Sequence, residues 1–120
     1  MSPRKKRVAA ARAEVLDRAH LAHYTMENPA LEREIIELFL SQLPVTLASL
    51  KQAGNQAEWK LATHTLKGSA AAVGATRING IAADLEILRF DVDVKKSRNL
   101  VASLEKAIEQ FSKMAARIYR

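Results

Sequence analysis

Apolar residues recur every three or four positions over most of the chain, and no segment keeps the two-residue alternation of a strand. The run Leu31, Ile35, Leu38, Phe39, Gln42, Val45, Leu47, Leu50 predicts one long helix. Asn28-Pro29 marks its start, an N-cap followed by proline at the first helical position. Glu32 and Glu34 suit the positive end of its dipole. Pro44 falls inside the run, and because the periodicity resumes after it, a kink rather than a break is expected. Gly54-Asn55 closes this helix and opens another, with Asn55 and Glu58 at capping-box spacing. That helix is predicted over Gln56–Val73, ended by Gly74 as a C-cap glycine. Thr76 is the expected cap of a fourth helix over about 77–89. Asp93 is the expected cap of a last one, apolar at Leu100, Val101, Leu104, Ala107, Ile108, Phe111, Met114, Ala115 and Ile118 and running to about Tyr119. Ahead of all these, AARAEVLDRAHLAHYT forms a short leading helix, with Asp17 capping its main turn and an end near Thr25.

Short turns make successive helices antiparallel neighbours, so the expected fold is all-α: an antiparallel up-and-down four-helix bundle with a short leading helix. The 120 residues fit one domain, expected over 12–120 behind a basic tail at 1–11. Apolar residues make up 48% but aromatic ones only 5%, which leaves most of the packing to alanine and leucine. The absence of cysteine excludes disulfides, thiolate metal sites and a cysteine nucleophile. No apolar run approaches membrane-spanning length, and MSPRKKR lacks the apolar stretch of a secretory signal, so a soluble cytoplasmic protein is expected. The net charge of +6 is unevenly spread, with Arg4, Lys5, Lys6 and Arg7 together near the start. Such a cluster can bind nucleic acid or an acidic surface, although a solvated tail is the plainer reading. No alternation of basic and aromatic residues suggests base stacking.

The third helix carries the candidate chemistry. Trp59, Ala62, Leu66, Ser69, Ala70 and Val73 form its apolar stripe. Leu66 and Val73 stand roughly 160–180° around the axis from His64, so His64 points outward. Its neighbours on that face are Lys60, Leu61, Lys67, Gly68 and Ala71. Glycine inside a helix costs about 1 kcal/mol relative to alanine. Gly68, with Ala71, leaves a bare patch beside the imidazole where a longer side chain would obstruct a partner. Lys67, one turn on, places a cation near anything negative that His64 carries and disfavours the imidazolium. A neutral ring nitrogen, an adjacent cation and a clear approach are what phosphoryl acceptance requires. On His64 and Lys67 alone, an ordinary surface histidine is the simpler reading; the glycine shifts the balance.

These residues resemble a known signature. HTLKGSAAAVGATRI is similar to that of histidine-containing phosphotransfer (HPt) domains: His, two positions, Lys-Gly, a small residue, then a glycine ending the helix. LEREIIELFLSQLPVTLASL upstream and INGIAADLE downstream resemble the flanking helices, and the likeness covers roughly 16–111. The resemblance implies a phosphorelay carrier that takes a phosphoryl group from an aspartyl-phosphate on one receiver domain and passes it to another. It implies His64 as the phosphorylated residue through its outer nitrogen, Lys67 as electrostatic support and Gly68 as steric access. It implies no cofactor or catalytic metal of the chain's own, magnesium being on the partner receiver. The implied partners are response-regulator receiver domains and a hybrid sensor histidine kinase, met by a monomer. Lys60, Leu61, Gly68 and Ala71 are the expected docking residues, joined by parts of the second helix near Phe39 to Leu43.

If the third and fourth helices are antiparallel about a turn near Ala75, His64 and Glu86 lie level. Family members often have glutamine or glutamate there, bonded to the ring nitrogen that is not phosphorylated, so Glu86 is a candidate to fix the tautomer. It would favour the imidazolium and oppose Lys67, which leaves the net effect on the ring unsigned; a solvated surface carboxylate is the alternative. No glycine-rich nucleotide loop or acidic magnesium cluster suggests autonomous kinase activity. His20 and His23 share a helical face, but no third ligand accompanies them, so a structural role or solvent exposure is expected. Two other readings compete: a basic helical adaptor or nucleic-acid-binding protein using the Arg4–Arg7 cluster with His64 incidental, and a degenerate carrier that occupies receivers without being phosphorylated. The initiating methionine and compact length suit a freestanding carrier rather than a module cut from a longer kinase.

Overall fold

The computed structural model describes residues 14–119. The Arg4–Arg7 cluster, the tail at 1–11 and the first residues of the leading-helix candidate lie outside them. Among the described residues there are five helices and no strand: α1 (Arg18–Tyr24), α2 (Pro29–Gln52), α3 (Gln56–Val73), α4 (Thr76–Glu86) and α5 (Val94–Ile118). None is long and apolar enough to cross a membrane. Helix α3 packs between α2 and α4, α5 packs against α4 and also meets α2, and α1 lies on α3.

Local capping explains most of the boundaries. Asp17 accepts from the His20 amide at the start of α1, and Asn28 accepts from the Ala30 and Leu31 amides ahead of Pro29. Asn55 accepts from the Glu58 amide at 2.8 Å. The return bond of the capping box goes to Gly54 rather than to Asn55, with Glu58 Oε2 accepting from the Gly54 amide at 3.5 Å. Helix α2 continues through Pro44 without a break. Proline there removes the bond to the carbonyl one turn earlier and crowds that carbonyl, and burial of Phe39, Leu43 and Leu50 on either side of it offsets that cost.

The core runs through all the long helices: Ile36, Phe39, Leu43 and Leu50 from α2, Trp59, Leu66, Ala70 and Val73 from α3, Ile78, Ala82 and Leu85 from α4, and Leu104, Ala107, Phe111 and Ala115 from α5. Phe39 and Phe111 meet edge to face at 5.2 Å, a favoured aromatic geometry. Ala62, Ala70, Ala82, Ala107 and Ala115 are part of this core, as the composition implies. At the end of α5 the Tyr119 hydroxyl donates to Glu32 Oε1, joining the two longest helices. Burial and that carboxylate together push the Tyr119 hydroxyl up to about 12.

Several boundary expectations are corrected. Thr76 is the first residue of α4 rather than its cap; Ala75 takes the cap position, and the Thr76 hydroxyl donates to the Gly74 carbonyl. Helix α4 stops at Glu86, three residues short of Arg89. The Arg89 amide is diverted to the Asp93 carboxylate at 2.8 Å, so it is not available to extend α4. For the same reason Asp93 occupies the N-cap position of α5 without a side-chain cap bond. Ser69, placed in the apolar stripe of α3, is exposed, while Thr63 is fully buried. The Thr63 hydroxyl is satisfied within its own helix by the Trp59 and Lys60 carbonyls.

Two helix ends use the same turn with opposite chemistry. After α3, Gly74 adopts a left-handed φ of 82°, and the Ala75 amide donates back to the Ala70 carbonyl. After α1, Met26 and Glu27 adopt φ values of 53° and 59°, and the Glu27 amide donates to the Ala22 carbonyl at 2.7 Å. Both are the Schellman arrangement. Gly74 has a second reason to be glycine, since a Cβ there would lie 2.8 Å from the Asp17 carbonyl oxygen. That approach lets the Asp17 amide donate to the Gly74 carbonyl at 2.7 Å and fixes the start of α1 on the end of α3. Chemical denaturation should therefore show Gly74→Ala destabilised by about 2 kcal/mol or more and Met26→Gly stabilised by about 1 kcal/mol. Equal effects at the two positions would refute the distinction.

Candidate functional site

His64 lies midway along α3 with its side chain 71% exposed. The outward direction follows from the helix period, because the buried faces of α3 are occupied by Ala62, Thr63, Leu66 and Ala70. The fourth helix supplies its partner. Glu86, the last residue of α4, brings Oε2 to 2.9 Å from His64 Nδ1 and Oε1 to 2.6 Å from Lys67 Nζ. One carboxylate thus joins two side chains of α3 that are three residues apart.

The electrostatics of this trio set the histidine tautomer. Glu86 sits at the negative end of its helix dipole, an unfavourable position for a carboxylate. The Lys67 hydrogen bond chiefly, and then that of His64, hold its carboxyl below the ordinary value of 4.5 against partial burial. An ionised carboxylate only accepts hydrogen bonds, so the proton in the His64–Glu86 contact belongs to Nδ1. Nε2 is then the ring nitrogen that keeps its lone pair when the imidazole is neutral. It has no hydrogen-bond partner among the described residues.

Lys67 differs from the sequence expectation in its immediate contact. It is on the His64 face, but its ammonium is bound to Glu86 rather than turned on the ring. Its backbone carbonyl also accepts from Asn79 Nδ2 at 3.2 Å, a tie between α3 and α4 that the periodicity did not reveal. The equidistance about Ala75 that selected Glu86 does not select this pair, because Asn79 lies four residues beyond that point and Lys67 eight before it.

Beyond the ring the surface is bare. A Cβ at Gly68 would meet nothing within 4 Å outside its own helix backbone, so neither packing nor a special φ calls for glycine there. Lys60 and Ala71 are exposed, and Leu61 is 69% exposed. On the other side of Leu61, a groove of about 500 Å³ between α2 and α3 is lined by Gln42, Val45, Thr46, Ser49, Leu61 and Thr65, among others. Leu38 and Val45 are exposed along α2, whereas Phe39 and Leu43 are buried in the core. Of the segment near Phe39 to Leu43, parts of which are expected at the docking face, Phe39 and Leu43 face inward and Gln42 is exposed beside Leu38 and Val45.

The remaining histidines stand apart from this site. His20 Nε2 lies 3.1 Å from the Ala72 carbonyl, consistent with a structural tie between α1 and α3, and His23 is exposed. Among the described residues no group of three or more His, Cys, Asp or Glu is arranged to hold a metal ion.

Comparison with protein families places this geometry. The sequence profile of the Hpt domain matches residues 34–114, which contain His64, Lys67, Gly68 and Glu86. The chain belongs to the Hpt domain family. Hpt domains act in histidine phosphotransfer within phosphorelays and pass phosphoryl groups to response-regulator receivers. No curated protein and no solved structure matches the chain.

The depressed Glu86 carboxyl has a consequence for stability. Its interactions contribute fully above about pH 4.5, the unfolded value, and are lost as acid takes the pH down through the lower folded-state value. Urea midpoints of the wild type and Glu86→Gln should therefore differ most above about pH 4.5 and draw together as the pH falls below it. A gap that does not change with pH would show that the charge of Glu86 is immaterial.

Proposed function

We propose that this chain is a phosphorelay intermediate in which His64 Nε2 accepts a phosphoryl group from a receiver aspartyl-phosphate and passes it to another receiver. The observation that carries this reading is the Glu86 contact, which keeps the proton on Nδ1 and leaves Nε2 exposed as the nucleophile. In the transfer the Nε2–P bond forms as the P–O bond to the aspartyl group breaks, and the aspartate leaves as carboxylate. The ring becomes positively charged while it keeps the Nδ1 proton, and the Glu86 carboxylate is placed to stabilise that charge. The return step reverses these changes on the next receiver. Lys67 supports the reaction by sharing Glu86 and lies close enough, one turn from His64, to offset phosphoryl charge. Any magnesium is supplied by the receiver.

Docking is assigned to Lys60, Leu61, Gly68 and Ala71 on α3, extended by Leu38, Gln42 and Val45 on α2. A preformed surface of small and apolar groups with a basic rim suits brief docking to more than one receiver. The order of helix contacts, α2 to α3 to α4 to α5 and back to α2, supports an antiparallel up-and-down four-helix bundle, with α1 as its short leading helix. We assign the domain to 12–120, with 1–11 outside it. Its setting is the cytoplasm, with receivers and a hybrid sensor kinase as partners, and it acts as a monomer.

Incubation with a phosphorylated receiver should label the wild type with acid-labile, base-stable phosphate, and His64→Gln should remain unlabelled. Label retained by the variant would remove His64 from the role of acceptor. Gly68 separates folding from access: Gly68→Ala should raise stability by about 0.5–1 kcal/mol. Gly68→Gln should fold normally but slow transfer by about tenfold or more. An unchanged transfer rate in Gly68→Gln would refute the access argument.

A further inference from the structure

Glu86 is the last residue of α4, where a helix would ordinarily fray. Its position opposite His64 therefore needs an anchor, and the anchor comes from α3 itself. Trp59 Nε1 donates to the Leu85 carbonyl at 3.0 Å. Gln56 Nε2 donates to the Leu88 carbonyl at 3.4 Å, and Gln56 Oε1 accepts from the Phe90 amide at 2.7 Å. The Phe90 ring lies against the Trp59 indole with centroids 6.5 Å apart. These contacts fall immediately before Glu86 and just after it, and both side chains come from the helix that carries His64.

We propose that Gln56 and Trp59 are positioning residues for phosphoryl transfer, which hold the end of α4 so that Glu86 stays bonded to His64 Nδ1. The functional part rests on the reading of His64 as the phosphoacceptor. The carbonyls of the last turn of α4 have no donors within their own helix; that of Leu85 accepts from the Leu88 amide at 3.2 Å and also from the indole N–H, which adds the tie to α3. The Gln56 amide then holds the chain beyond it, donating on one side and accepting on the other. Together with Asn79 at the Lys67 carbonyl, these bonds fix the axial register and rotation of α4 on α3. Glu86 spans two nitrogens on α3, so a change in that register cannot keep both contacts at their present geometry. The arrangement also explains why α4 ends where it does, since the carbonyls and amides that would continue it are engaged by α3 and by Asp93.

The test combines His64 ring ¹⁵N resonances in the unphosphorylated protein with initial rates of transfer from a receiver domain loaded with acetyl phosphate. Gln56 is exposed, so Gln56→Ala should fold as the wild type does; Trp59→Phe keeps an aromatic ring in the core but removes the N–H donor together with part of the indole. Each should move the His64 resonances towards those of Glu86→Ala and slow transfer by roughly three- to tenfold, the equivalent of one partly exposed hydrogen bond. Tyr119→Phe, which removes a bond at the start of α2, is the control for lost stability and should leave those resonances in place. Resonances of Gln56→Ala and Trp59→Phe that coincide with the wild type would overturn the proposal, and if Trp59→Phe fails to fold, Gln56→Ala decides alone. A wild type that takes no phosphate would instead overturn the acceptor reading, while the ring spectra still decide whether Gln56 and Trp59 hold Glu86.

Discussion

The register of α4 against α3 is the constraint on which the surface site depends. Gly74 sets it at one end, because only a residue without a Cβ can adopt the left-handed turn while the Asp17 carbonyl approaches so closely. From that turn the two helices run side by side, and the bond from Asn79 to the Lys67 carbonyl, the Glu86 carboxylate and the indole of Trp59 meet their partners in succession. A carboxylate at a helix C-terminus is electrostatically misplaced. Two nitrogen donors on α3 compensate for it, and the compensation orients the imidazole. Stability and chemistry are therefore linked through one side chain.

The two glycines on α3 and at its end show how a single residue type can serve opposite ends. Gly74 is required by backbone geometry and by a close contact. Gly68 meets neither condition, sits in the interior of an exposed helix face and weakens the helix it occupies. The proposed docking of a partner beside the exposed imidazole would account for that cost. The membership of the chain in the Hpt domain family supplies the kind of partner for which such clearance is useful.

The helix starts were legible because capping is local. Asp17, Asn28 and Asn55 act on amides two or three residues away, and Gly74 needs only its own φ, so each can be read from a short window. The outward direction of His64 was equally legible, since it follows from the 3.6-residue period and the buried positions around it. Ser69 failed the same reasoning because a small side chain at the edge of a stripe is compatible with either environment. Which residues of the stretch near Phe39 to Leu43 face outward was not legible, because a stretch of helix presents both of its faces and only packing shows that Phe39 and Leu43 are buried.

The sequence by itself determined that the chain is helical, where most helices begin, and that His64 and Gly68 share an exposed face, since these depend on interactions within about one turn. Tertiary structure alone decided where α4 stops, that Lys67 turns to Glu86 rather than to the imidazole, and that Gln56 and Trp59 hold the chain on either side of Glu86. The last two depend on groups some 19 to 34 residues apart meeting across two helices, and the end of α4 depends on these together with the Arg89–Asp93 bond. Periodicity assigns a residue to a face, but the distance between two faces is set only when the core packs.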